Sequence, residues 1–222
     1  MSAPRIEREY LTPVYSQSDV AQIIRATRST VQRWTTGYHE GHSWKEPLIS
    51  GVPRGRGYTV PFIGLAEGFV LNAFRKAGLP MQRIRPAVEV IKREIGLEYA
   101  LASNRLVHDG AEILFRSDDP LDHRLTVVRN GQAVFNEVVA DYLSNIDFGE
   151  VGYAAAIRLP QYPDLDVMVR PTLNGGRPTL ARRGIAVEDL LDRVRAGEAP
   201  GDVASDYGIT HDEVMYLNRL AA

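Results

Sequence analysis

The sequence contains no cysteine. Disulfides, thiolate metal sites and thiol nucleophiles are therefore excluded, which fits a cytoplasmic setting without requiring one. It also lacks any run of about 18 apolar residues, so no membrane-spanning helix is expected. The opening MSAPRIEREY has no apolar stretch of the kind a secretion signal needs, so export is not expected either. Aromatic residues are few, 8% of the chain, and those after residue 106 are scattered. That scatter argues against an aromatic-lined effector pocket in the rear half. Nor is there an excess of one charge sign, with 26 basic and 28 acidic residues.

What is present is unevenly distributed. Residues 1–105 carry 15 Lys+Arg and 9 Asp+Glu, 15 − 9 = +6, whereas residues 106–222 carry 11 and 19, 11 − 19 = −8. A basic front joined to an acidic rear suits a DNA-binding head with a protein-binding body. At 222 residues the chain can hold one large or two small domains, and its 44% hydrophobic content is ordinary for a globular protein.

The segment Tyr15 to Trp34 predicts two short helices around a tight turn. Ser16-x-x-Asp19 is a capping box, and Val20 with Ile24 makes an apolar stripe beside the small Ala21. Thr27 predicts the cap of a second helix whose Val31 and Trp34 face the first. Its outward residues are then Arg28, Ser29, Thr30, Gln32 and Arg33, side chains suited to phosphates and base edges in a major groove. This is a helix-turn-helix pattern, with Arg25 to Arg28 at a corner where glycine is common. Pro53-Arg-Gly-Arg-Gly-Tyr58-Thr-Val60 predicts a hairpin wing presenting Arg54, Arg56 and Tyr58. The two arginines there suit phosphate contact or solubility equally. Pro61 then opens an amphipathic helix through Phe62, Ala66, Phe69, Val70, Ala73 and Phe74. Gly78 and Pro80 end it, and a further helix is expected from about Met81 to Ile95, before Gly96. This order of elements, with Phe74-Arg-Lys-Ala-Gly-Leu-Pro-Met-Gln-Arg-Ile84 at the joint, resembles the MerR-type winged-helix DNA-binding domain over roughly the first hundred residues.

From about Arg105 to Met168 the period turns toward alternation. Strands are expected at Ala111–Arg116, Leu125–Arg129 and Gln132–Phe135, with Asn130-Gly131 as a hairpin turn. Asp147-Phe-Gly-Glu predicts a turn before a strand from Tyr153 to Leu159. In the tail, Val167–Pro171 and a strand ending at Leu180 flank the Asn174-Gly-Gly turn. An amphipathic helix follows through Val187, Leu190, Leu191 and Val194. A second helix-turn-helix shape then runs from Asp202 through Gly208, with Thr210-x-x-Glu213 as its capping box. Its outward Asp202, Asp206, Asp212 and Glu213 would repel a phosphate backbone, so it predicts a protein-interaction surface. The run G-G-R-P-x-L, I-x-V, helix, Gly, V-A-x-x-Y-x-I-T-x-x-x-V, from about Val167 to Leu217, is similar to a small C-terminal domain found in bacterial antitoxins. Behind a MerR-like head it resembles the VapB-type antitoxins, departing from them at Arg182-Arg183-Gly184, where Gly-Thr-Arg is usual.

The fold class expected is α+β, divided as a winged helix-turn-helix head (1–104), a β-rich connector (105–166) and a helical antitoxin-type tail (167–222). The resemblance implies an antitoxin of a type II toxin–antitoxin system, a cytoplasmic repressor that binds operator DNA and neutralises a PIN-domain ribonuclease toxin. An arginine entering the toxin's carboxylate cluster would pair with it bidentately. Arg170, Arg177, Arg182 and Arg183 are the candidates. Val203, Tyr207, Ile209, Val214 and Leu217 recur at helical spacing and predict a homodimer contact, with packing inside the same chain as the competing reading. The alternative function is a MerR-like ligand-responsive transcriptional regulator. His39-x-x-His42 has metal-like spacing without further ligands, and Asp118, Asp119, Asp122 and His123 suit a turn. The glycines from Gly51 to Gly57 lack the lysine of a phosphate loop. No nucleophile–base pair appears, so no enzyme, metal or cofactor is expected.

Overall fold

A computed structural model describes residues 6–52, 57, 59–106 and 139–221. The expected strands between residues 111 and 135, the acidic cluster Asp118 to His123, and Arg54, Arg56 and Tyr58 lie outside these residues. The architecture is α+β, and the chain divides into two compact units, Met1–Ala155 and Ala156–Ala222.

The first unit is built around one helix. A short helix α1 (Arg8–Leu11) leads into strand β1 (Pro13–Tyr15), then helices α2 (Gln17–Ile24) and α3 (Arg28–Thr36). A hairpin of β2 (Tyr38–Glu40) and β3 (Ser43–Lys45) follows, and β4 (Val60–Pro61) pairs antiparallel with β1. Pro61 then caps α4 (Phe62–Lys76), and α5 (Met81–Ile95) closes the run at left-handed Gly96. The expected apolar stripe of α4 is buried, but so is every residue from Phe62 to Phe74. This helix is central rather than amphipathic, because α1, α2, β1, β4, α5 and the turn Ala100–Ala102 pack around it. Close approach is possible because α4 carries two glycines. A Cβ on Gly64 would stand 2.1 Å from the Ser50 carbonyl oxygen, and Gly68 faces Ile49, Ile24 and Val20. Beyond a helical stretch at 139–143, β5 (Ile146–Phe148) passes through a turn at Gly149 to Gly152. Asp147 and Phe148, expected in that turn, belong to the strand.

The division between units falls within β6 (Ala154–Arg158). In the second unit β6, β7 (Val167–Val169), β8 (Thr179–Leu180) and β9 (Ile185–Ala186) form an antiparallel meander, with Ile157 opposite Val169 and Met168 opposite Thr179. The Asn174-Gly-Gly turn carries positive φ at all three residues. Helices α6 (Val187–Arg195), α7 (Pro200–Tyr207) and α8 (His211–Ala221) then pack on one another. Gly208, in the left-handed region at φ 62°, separates the last two.

Candidate nucleic-acid and partner interfaces

The helix-turn-helix forms as its capping residues direct. The Asp19 backbone N–H donates to Ser16 Oγ at 3.1 Å, and the Ser16 N–H donates to an Asp19 carboxylate oxygen at 2.8 Å. Thr27 Oγ1 accepts from the Thr30 N–H at 3.3 Å and starts α3. Val20, Ile23, Ile24, Val31 and Trp34 are all buried between the helices and α4. At the corner, Arg25 adopts φ 54°, ψ 51°, a conformation that costs a non-glycine residue about 1–2 kcal/mol. A buried amide from elsewhere steadies it. Asn72 on α4 donates from Nδ2 to the Ile24 carbonyl at 2.6 Å, satisfying an oxygen that the end of α2 leaves without a helical donor.

Arg28, Ser29, Gln32 and Arg33 are exposed on α3, as expected. Thr30 is only half exposed. Its hydroxyl is engaged by Thr27, and Arg75 Nη1 donates to it at 3.4 Å. The Arg75 guanidinium lies 5.8 Å from the centre of the Trp34 ring. Arg33 stacks on Tyr38 at 5.0 Å, and Arg85 of α5 stacks on the same ring at 5.2 Å. Arg75, Tyr38 and Arg85 were not legible as site residues. Arg75 stands 45 positions from Thr30, and no periodicity joins them.

The wing expected over 53–60 falls largely outside the described residues, while a hairpin follows α3 at 38–45. Its signal was Gly41-His42 between short alternating segments. The hairpin needs Gly37, where φ is 69° and a Cβ would meet the Lys45 carbonyl oxygen at 2.5 Å and the Trp44 ring at 2.6 Å. His39 opposes Trp44 in the ladder and their rings lie tilted against each other with centroids 5.0 Å apart, so His39 is engaged within the hairpin. Among the described residues no group of three or more possible metal ligands occurs. Behind the hairpin, the Leu48 and Ile49 N–H groups both donate to the Trp34 carbonyl. The next N–H, of Ser50, donates to a carboxylate oxygen of Glu67 at 2.6 Å. Glu67 is wholly buried and its other oxygen has no hydrogen-bond partner. Burial raises its pKa, while Lys92 and the Ser50 N–H oppose the rise.

In the second unit the four candidate arginines separate. Arg177 is held by Asp189, with contacts of 2.7 and 3.4 Å, and by Glu188 at 3.7 Å. The Asp189 hydrogen bond pushes its pKa up. Arg182 pairs with Glu213, whose carboxyl also closes the Thr210 capping box and is shifted down, first by the Thr210 N–H. Arg183 lies over Gly208, 3.6 Å from where a Cβ would be, and Arg170 is exposed at the end of β7. Neither has an ion-pair partner among the described residues.

The candidate dimer residues are mostly interior. Val203, Val214 and Leu217 are at most 1% exposed and Ile209 is 9% exposed. They fill the space among α6, α7 and α8, so no second copy is needed to cover them. Tyr207 is half-buried, with Arg193 at 5.3 Å over its ring.

Residues 13–88 match a family described as "Putative DNA-binding HTH domain", and residues 167–216 match "Protein of unknown function (DUF433)". Across 98% of both chains the sequence is 38% identical to a Mycobacterium tuberculosis protein named "Putative antitoxin VapB45". A second protein of that organism, uncharacterized protein Rv2308, is 26% identical over 91% of this chain and 87% of its own. The crystal structure of Rv2018 from M. tuberculosis superposes with a TM-score of 0.76 at 33% identity. It covers 93% of this chain and 97% of its own.

Proposed function

This chain belongs to the family of the Mycobacterium tuberculosis protein named "Putative antitoxin VapB45", and on that premise we propose that it is the antitoxin of a type II toxin–antitoxin pair. Its head binds operator DNA in a MerR-like manner, with α3 in the major groove and the β2–β3 hairpin alongside. Its second unit neutralises a PIN-domain ribonuclease toxin in the cytoplasm. The observation that carries the DNA half is α3 itself, a capped helix presenting Arg28, Ser29, Gln32 and Arg33 to solvent with basic residues stacked beside it. Two copies binding adjacent half-sites would repress the operon as a homodimer, through surfaces other than the buried residues of α7 and α8. Arg170 and Arg183 are the arginines left for the toxin's carboxylates, since Arg177 and Arg182 are engaged within the chain.

The test uses the full chain with the product of the neighbouring reading frame, expressed to the point of arresting growth. Wild type should rescue growth and silence a reporter driven by its own promoter. Arg28→Ala with Arg33→Ala should lose silencing and keep rescue, whereas Arg170→Ala with Arg183→Ala should do the reverse. Loss of rescue by the first pair, or failure of wild type to rescue, overturns this division of labour.

A further inference from the structure

We propose that Arg75 of α4 and Arg33 of α3 form a backbone clamp along one flank of the recognition helix, leaving base reading to Arg28 and Gln32. The inference rests on the DNA-binding reading above and assigns its parts. On a helix of 3.6 residues per turn, Thr30 and Trp34 form one row and Arg33 lies one step from it, on the same flank. Arg75 is tied to that row at both ends, through the Thr30 hydroxyl and the Trp34 ring. Arg33 is tied to Tyr38 at the base of the hairpin. Arg28 and Gln32, four apart on the opposite flank of the exposed face, have no side-chain partner among the described residues.

Restraint divides the roles. A guanidinium already stacked on an aromatic ring has lost much of its rotamer freedom, so meeting a phosphate costs it little further ordering. Phosphates recur at fixed spacing whatever the sequence, which suits fixed charges. Base edges differ from pair to pair and reward side chains that reach, arginine to guanine and glutamine to adenine. Arg85 reinforces the flank from below. Its Nη1 donates to the Glu46 carbonyl at 2.7 Å, but its Nε and Nη2 are buried without partners, and no carboxylate among the described residues neutralises it. That unbalanced charge under Tyr38 favours an anion against the flank. Arg75 is the unforeseen member, because it comes from a helix outside the helix-turn-helix.

The experiment measures binding of the full-length protein to a duplex spanning its own promoter and to a shuffled duplex of equal length, across a salt series. Arg75→Gln and Arg33→Gln should each weaken both duplexes alike, by about threefold to tenfold, and lower the slope of log affinity against log salt by about 0.9. Arg28→Ala and Gln32→Ala should instead reduce the preference for the promoter over the shuffled duplex, by about tenfold. Arg75→Lys keeps the charge without the planar stack. It should retain the slope at lower affinity, and intact circular dichroism of each variant guards against misfolding. Arg75→Gln with unchanged affinity and slope, or with altered preference at unchanged slope, overturns the clamp. Wild type that binds neither duplex at low salt overturns the DNA-binding reading itself, a distinguishable result.

Discussion

Asn72 offers a sharp test of how α3 is held, because one buried hydrogen bond joins α4 to the corner of the helix-turn-helix. Asn72 is 4% exposed and its Nδ2 lies 2.6 Å from the Ile24 carbonyl oxygen. Asn72→Ala removes the donor and leaves that oxygen buried and unsatisfied, at a cost of about 1–3 kcal/mol. The small void left by the amide adds to it, giving roughly 2 kcal/mol or somewhat more. Asn72→Asp is the discriminating variant. At neutral pH it sets a carboxylate against a carbonyl oxygen, so it should be worse than alanine. When protonated, its O–H can donate where the amide did. The buried carboxyl should have a folded-state pKa above its unfolded value of ~3.9. The deficit of Asn72→Asp should therefore be smallest below about pH 4 and grow as pH rises through the folded-state pKa. Denaturant melts followed by tryptophan emission report the region directly, since Trp34 is 2% exposed against this corner while Trp44 is 44% exposed on the hairpin. Equal stabilities of the Ala and Asp variants at every pH, or an Asn72→Ala cost below about 0.5 kcal/mol, would refute the role given to this bond.

Two further outcomes follow from buried groups. Burial lifts the Glu67 carboxyl above its ordinary value of 4.5, against Lys92 and the Ser50 N–H, with Glu98 pushing further up. Its contribution should be most favourable below that value and decline as pH rises toward and through the raised pKa, so Glu67→Gln should flatten the stability–pH profile. Parallel profiles for the two proteins would contradict this. Val214→Asp places a carboxyl at a site 1% exposed among α6, α7 and α8, costing roughly 3 kcal/mol or more. Limited proteolysis should then cut within residues 187–217, and a protease-resistant monomer would instead favour the dimer reading of Val214.

Much of this protein was legible because its signals are local. Ser16 and Asp19, Thr27, Thr210 and Glu213, and Gly208 act on backbone groups within a few residues of themselves, so the helices they begin or end could be placed from spacing alone. The inward and outward faces of α3 followed from its period for the same reason. Periodicity also marked Val203, Ile209, Val214 and Leu217 as apolar-facing, but it carries no information about what covers them. Packing of three helices answered that within one chain. Tertiary structure alone decided the rest. It buried α4 on every side, drew Asn72 to the α2 terminus, tied up Arg177 and Arg182, and set Arg75 beside Thr30 and Trp34. Those outcomes depend on which side chains meet across tens of residues, and that is settled by the mutual burial of whole elements rather than by any pattern within one.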